Sequence, residues 1–402
     1  KYGLPIYPSL IVQNGGSDRG EDSPIWVRCS NWRFENTHLE IGARGDLDPN
    51  MDGIRGLDFR HKEVQDERFG VIDEVLRNYD VNGFELQLNL NGLLFHPEEL
   101  EEGRKIMTAW IQRVYDAVKM SGQNRELIIH VSSDLERCLS SGLDPLGWIK
   151  KGIVDVLVAD AGYGDVVNPM ADFRSIVEGS KGSKCRIHAA VQNFVNSDRL
   201  NDAPVEMMRA MVSNYWDQGI DGLYLGRGWF YNWPFDGRFY EKVREIAYPH
   251  LMDTKDKLYH IPTIVATEPI APQSSNAHSN SEKIDRQLPA VLEVDKPVQL
   301  NFSITDDLPA WDASGRVHEV LLRIRICETT ELDKFRFRLN GQELPSRSLR
   351  KINEILGKLT VPRYVIYGYW YVFTLDREYW PNRGSNILEV TLLERDPDVT
   401  PQ

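Results

Sequence analysis

The chain is short of the features that would narrow its class at once. Among its 402 residues no apolar run approaches the roughly 18 needed for a membrane-spanning helix. The opening KYGLPIYPSL lacks the layout of a signal peptide and reads as the end of a helix running into a strand, so the chain is expected to begin inside a domain. Its four cysteines, Cys29, Cys138, Cys185 and Cys327, form no C-x-x-C pair and have no histidine at zinc-finger spacing, so no metal site is expected. Basic residues are in deficit: 47 Lys and Arg against 60 Asp and Glu leave a formal charge of −13. That balance argues against nucleic acid or an anionic membrane as partner and leaves uncharged or cationic ligands easier to accommodate.

What is present is a regular alternation. Strand-like runs at 4–10, 81–89, 127–132, 154–159, 186–191 and 220–225 are, except for the last, each followed by a segment of helical periodicity. Over 61–79 the stripe is Val64, Val71, Val75 and Leu76; over 97–121 it is Leu100, Ile106, Ile111, Val114 and Val118. Repeating β-α units call for a parallel sheet with right-handed crossovers. Two earlier strands would complete an eight-stranded (β/α)8 barrel of the TIM type, with 4–10 as its third strand; an open doubly wound sheet would need a glycine-rich phosphate turn that is not there. Residues 266–287, rich in Pro, Ser and Asn, read as a linker. Beyond it, alternating segments such as KFRFRLNGQEL and YGYWYVFTL read as a β-sandwich. The expected division is a barrel over 1–265, a linker over 266–287 and a sandwich over 288–402, with Tyr367, Tyr369, Trp370 and Tyr371 available to fill an interdomain seam.

Segment 81–91, VNGFELQLNLN, alternates strictly. Phe84, Leu86, Leu88 and Leu90 belong under the helices, which sends Glu85, Gln87, Asn89 and Asn91 along the barrel interior toward its C-terminal mouth. Burying such groups without partners is costly, so a wet polar pocket is the expectation, with a register-fixing polar network as the alternative. Other strand ends supply His130, Ser132, Ser133 and Asp134; Asp160 and Tyr163; Gln192, Asn193 and Phe194; and Arg227, Trp229, Tyr231, Asn232 and Trp233. Aromatic rings beside amides, carboxylates and an arginine suit a sugar. The long loop 11–60 adds Asp18, Glu21, Asp22, Trp26 and Trp32.

The segments GLPIYPSL, GLDFRHKEV, NYDVNGFELQLNLNGLLF, GLDPLGWIKKGIVDVLVAD and GIDGLYLGRGWFYNW together resemble a glycoside-hydrolase-like (β/α)8 barrel family, the family-10-like glycosylhydrolases of bacterial polysaccharide degradation. The resemblance implies a carbohydrate ligand in the mouth and no organic cofactor. Around the fourth strand the family pattern is nearer D-V-D-G-x-E-L-D-F; Glu85 matches it, while Asn82 and Gln87 replace carboxylates. Read against a chitinase-type D-G-x-D-x-D-x-E, Asn89 falls at the general acid, which an amide cannot be.

The resulting expectation is a secreted or periplasmic glycoside hydrolase. Glu85 would be the acid, kept protonated by burial beside amides; Asp160 would be the second carboxylate, with Asp134 as alternate. Trp229, Tyr231 and Trp233 would form a sugar platform, with Gln87, Asn89, His130, Tyr163, Gln192, Asn193 and Arg227 as further contacts. A non-catalytic carbohydrate-binding barrel and a polysaccharide lyase using Tyr163 or His130 as base are the rivals.

Overall fold

In a computed structural model of the chain, the structure describes residues 3–13, 31–49, 51, 53–89, 93–161, 167–195, 202–230, 233–262, 287–353, 356–357, 365–366 and 368–397. Six strands, β1 (Ser9–Ile11), β2 (Gly83–Gln87), β3 (Glu126–Ser132), β4 (Val156–Asp160), β5 (Arg186–Val191) and β6 (Gly222–Leu225), form one parallel sheet in simple sequential order. The first is shorter than the 4–10 expected. Pro5 and Pro8 have no N–H to give a ladder, and residues 6–8 run alongside β2 on separate bonds, Asn82 N–H to Ile6 O at 2.8 Å and Glu85 N–H to Pro8 O at 2.8 Å.

Sequential order has a geometric consequence: right-handed crossovers that never reverse put every helix on the same face. Burial agrees. Phe84, Leu86, Leu127, Ile129, Leu157, Ile187 and Ala189 share one core with Val64, Ile72, Met107, Ile111, Met208 and Met211 of the helices Lys62–Asn78, Leu100–Ser121 and Val205–Asp217. The stripe of the first helix is Val64, Arg68, Ile72 and Leu76; Val71, expected on it, is 39% exposed. A further helix, Gly237–Ile246, follows the last strand, where none was expected; its N-terminus is capped by Asp236, whose Oδ1 accepts from Phe239 N–H.

The other face is concave. Tyr224 of β6 and Glu85 of β2 are four ladder steps apart, about 19 Å in a flat sheet, yet the tyrosine hydroxyl donates to Glu85 Oε1 at 3.1 Å. Only a curled sheet brings them together. Among the described residues β1 and β6 each have one ladder partner, so the sheet is a six-strand arc. Side-chain contacts, which run diagonally across the ladder rungs, sort its inner surface into three groups. Tyr7, Glu126 and Arg186 meet at the N-terminal strand ends, with Tyr7 OH to Glu126 Oε2 at 2.7 Å and Arg186 paired to Glu126. Ile128, Val156, Val158 and Ala190 fill the middle. The polar cluster of Glu85, Gln87, His130, Asp160 and Tyr224 occupies the C-terminal ends.

The C-terminal part forms two antiparallel sheets and a short two-stranded ladder. Strands β7 (Pro297–Ile304), β8 (Leu321–Cys327), β9 (Lys334–Leu339), β10 (Gln342–Glu343), β11 (Leu349–Asn353), β12 (Leu356–Gly357), β13 (Val365–Ile366), β14 (Gly368–Thr374) and β15 (Gly384–Glu394) pair as β10-β9-β15-β7, β11-β14-β8 and β12-β13. Leu300, Phe337, Leu388 and Val390 of the first sheet share a core with Ile324, Ile326, Tyr371 and Phe373 of the second. The β9-β10 hairpin turns on Asn340 and Gly341, both at positive φ (51° and 81°), the geometry that a two-residue hairpin requires and that Asn-Gly adopts most easily.

Tyr369 and Tyr371 pack inside this core and not in an interdomain seam; Tyr367 lies outside the described residues. Contact with the parallel sheet's helices runs elsewhere: Asn214 Nδ2 to Ser303 O at 3.2 Å, Arg383 to Asp217 at 3.0 Å, Lys257 to Asp306 at 2.7 Å and Tyr259 to Thr305 at 2.9 Å. The linker expected over 266–287 falls almost wholly outside the described residues. No described helix is long and apolar enough to cross a membrane.

Candidate active site

Parallel strands end together at the C-terminal rim, and the period of two that sends Glu85 inward does the same for its ladder neighbours. Gln87 faces His130, and Ser132 faces Asp160. The imidazole of His130 stands between two carboxylates, Nδ1 at 3.9 Å from Glu85 Oε1 and Nε2 at 3.5 Å from Asp160 Oδ2. Gln87 Nε2 donates to Glu85 Oε1 at 3.1 Å, and Asn89 Nδ2 donates to Asp160 Oδ2 at 3.1 Å. The Tyr224 ring packs edge-on to His130, centroids 4.9 Å apart. Glu85 and His130 are each 5% exposed; the Asp160 side chain keeps 16%.

This surrounding reverses the protonation expected of Glu85. Desolvation pushes its pKa up, but His130, Gln87 and Tyr224 all favour the ionised form, and together they hold it below the usual carboxylate value. Burial opposes charge on His130 as well; contacts with Asp160 and Glu85 outweigh it and raise its pKa. Tyr224 is pushed well above the ordinary phenol, by burial first and then by Glu85. The shifts run toward an ionised Glu85 beside a protonated His130. Two orphaned acceptors, Asn89 Oδ1 and Gln192 Oε1, are buried without hydrogen-bond partners among the described residues. Among the described residues no group of His, Cys, Asp and Glu could hold a metal ion.

No family model matches the sequence, and no curated protein matches it. Solved structures with some likeness include the α-amylase from Geobacillus thermoleovorans complexed with acarbose. It is 11% identical at a TM-score of 0.37, over 96% of this chain and 77% of that one. The endo-β-1,4-mannanase from Thermotoga petrophila is 13% identical at 0.38, over 83% and 70%. The β-galactosidase from the psychrophilic Marinomonas ef1 is 11% identical at 0.36, over 56% and 44%. At TM-scores below 0.5 these likenesses carry no argument about what this chain does.

Several other expected site residues stand elsewhere. Asp134 is an exposed N-cap: its Oδ1 accepts from Arg137 N–H at 3.1 Å to start the helix Leu135–Leu139, work that needs no catalysis. Trp229 is 1% exposed and bound through Nε1 to Val191 O at 2.8 Å, so it is core and not a platform. Asn193 is buried with its Oδ1 accepting from Lys242 Nζ at 2.9 Å. Trp233 is 75% exposed and stands edge-on to Phe235, which stacks on Phe239 at 3.9 Å. Tyr163, Tyr231, Asn232 and the side chain of Arg227 lie outside the described residues, as do Leu90, Asn91, Cys29, Asp18, Glu21, Asp22 and Trp26. Trp32 packs on the core. Tyr224 is the member that sequence reading missed; its signal was the inward parity of β6, hidden inside an aromatic-rich run.

Proposed function

We propose that the chain is a glycoside hydrolase of the (β/α)8 barrel kind, acting on a polysaccharide or oligosaccharide outside the cytoplasm, with the arc as six of the barrel strands and the two C-terminal sheets as an accessory β-sandwich. The supporting observation is the pair of carboxylates, Glu85 and Asp160, set on the two nitrogens of one buried histidine at the C-terminal strand ends, where barrel enzymes do their chemistry. Glycoside hydrolysis uses two carboxyl groups about one sugar bond. Ionised Glu85 fits the charge-stabilising or nucleophilic role in place of the acid. His130, holding its proton between the two acids, can return it through Asp160 to the leaving oxygen. Asn89 and Gln192 offer acceptors to sugar hydroxyls, and exposed Trp233 offers a ring face.

The test is turnover of a glycan panel by wild type, Glu85→Gln and Asp160→Asn. Loss in both variants supports the reading; undiminished turnover in Glu85→Gln ends it.

A non-catalytic carbohydrate-binding protein is the second reading. It is favoured by one feature: Glu85 Oε1 already accepts from both Gln87 and Tyr224, as a register-fixing network would have it. Glycan binding without product, in wild type, selects it.

A further inference from the structure

The two C-terminal sheets stand apart along the edge formed by β9, β10 and β11. Strand β10 is two residues long against six in β9, so the ladder between them ends early. Leu344 N–H donates to Phe337 O at 2.9 Å, and the chain then leaves through Pro345 into the single turn Ser346–Ser348. By the alternation of an antiparallel ladder, the N–H and C=O of Phe335, two residues back on β9, point to the side that β10 has left.

The second sheet is open at the same edge. Leu349 and Lys351 of β11 share the face of their ladder partners Phe373 and Tyr371, which lie in the core. Lys351 therefore points inward, its Nζ 5.5 Å from the centre of the Tyr371 ring, and is nevertheless exposed. A lysine holds such a place only where water reaches between the sheets.

Between β9 and β11 lies a cavity of about 380 Å³, within the roughly 300–1,000 Å³ of small-molecule sites. Buried Phe337, Leu344 and Phe373 form its floor, and half-buried Phe335, Pro345 and Leu349 wall it. Arg336 and the exposed Glu343 and Ser346 complete the lining. In the order β10-β9-β15-β7 the strand bonded to Asn214 is at the opposite edge, so the cavity is clear of that joint.

The lining selects by chemistry. A ligand here lays an apolar face on phenylalanine rings and answers both donors and acceptors, since the Phe335 main chain and the Ser346 hydroxyl supply each kind. Residues of opposite charge, Arg336 and Glu343, favour a neutral ligand over an anion or a cation. A lipid chain would leave the polar groups unused. A peptide strand needs a run of edge groups, and Phe335 is the one residue of β9 beyond β10 whose pair faces that way.

We propose that this cavity is a second saccharide site, seating one pyranose unit of a neutral glycan with its C–H face on Phe335 and its hydroxyls toward the Phe335 main chain and Ser346. That the ligand belongs to a glycan rests on the proposed function. Such a site holds a polymer to the sandwich without competing for the cup of the parallel sheet.

The experiment is hydrogen exchange of the full chain carrying Glu85→Gln, which keeps a saccharide whole, with cellohexaose, mannohexaose and maltohexaose as probes. An alternating threonine–valine hexapeptide and decanoate are the comparison arms. At least one hexasaccharide is expected to slow exchange over 334–349 saturably. Saccharide held in the cup leaves that segment unchanged. Adding Ser346→Trp, which fills the mouth from an exposed position, should weaken the effect about tenfold or more. Phe335→Leu, which keeps apolar volume but loses the ring, should weaken it severalfold, and Ser346→Ala should stay within about threefold. Thermal midpoints of the variants show that each is folded.

The proposal is overturned if none of the three saccharides slows exchange over 334–349, if Ser346→Trp and Phe335→Leu leave the effect unchanged, or if the peptide or decanoate binds there more tightly. Turnover by the otherwise wild-type chain separates the two readings. If a glycan is cut in a Glu85-dependent way and no saccharide slows exchange over 334–349, the hydrolase reading stands and this one falls. If no glycan is cut but a saccharide effect sensitive to Ser346→Trp persists, the reverse holds.

Discussion

The two ends of the concave sheet face carry similar parts and put them to different use. At the N-terminal ends Glu126 meets Arg186 and Tyr7, and both charged side chains remain well exposed, at 30% and 48%. At the C-terminal ends Glu85 and Asp160 share His130, the three side chains 6–16% exposed, and Tyr224 donates to Glu85. A permanent cation in water settles one carboxylate and is done. At the other end a titratable imidazole is held out of water between two acids, and its shift runs toward the charged form. Under the proposed function the difference matches the division of α/β barrels, where one rim holds the fold together and the other does chemistry.

Four measurements can break or sharpen that contrast. The largest effect is expected at Glu85: Glu85→Gln should cut turnover by about 10³-fold, roughly 4 kcal/mol of barrier, while Glu126→Gln leaves it within about twofold. Equal losses at both ends would erase the contrast. Next, Trp229→Ala should cost about 3–5 kcal/mol of stability by chemical denaturation, whereas exposed Trp233→Ala should stay within about 0.5 kcal/mol and lower glycan affinity instead. Third, His130→Gln should cost about 3 kcal/mol, because buried Glu85 and half-buried Asp160 lose the group between them. Smallest, Arg186→Gln should change stability by no more than about 1 kcal/mol, as exposed pairs do.

The pH dependence of the thermal midpoint tests the same asymmetry. Glu85 has a lowered folded pKa, so its contribution is present above the unfolded value of about 4.3 and is lost as pH falls through the folded one. His130 has a raised folded pKa, so its contribution is full below about 6.5 and fades as pH rises through the folded value. The cluster therefore stabilises most between those two unfolded values. His130→Gln should remove the decline on the alkaline side, and a midpoint still falling there with the same slope would count against a charged His130.

Much of this was legible in the sequence, for physical reasons. Period two placed Phe84 and Leu86 under the helices and Glu85 and Gln87 inside, and the β-α order placed His130 and Asp160 on neighbouring strand ends. The protonation state of Glu85 was not legible, because against desolvation it depends first on how the His130 ring stands against its carboxylate, then on Gln87, and last on Tyr224, which comes from four strands away and reaches Glu85 only when the sheet curls. Trp229 was misread because position after a strand end does not tell whether an indole turns outward or, as here, back to Val191 O. Asp134 did carry its own signal, a capping residue just before an amphipathic turn.

Two of the four bonds that attach the C-terminal sheets, at Asn214 and Asp217, lie at the end of the helix Val205–Asp217 that leads into β6, hence at the N-terminal strand ends. These bonds lie on the opposite rim from Glu85. The other two, at Lys257 and Tyr259, flank Leu258, whose N–H donates to Glu206 O at the start of the same helix, so the joint is pinned at both ends of one rod and resists pivoting about it.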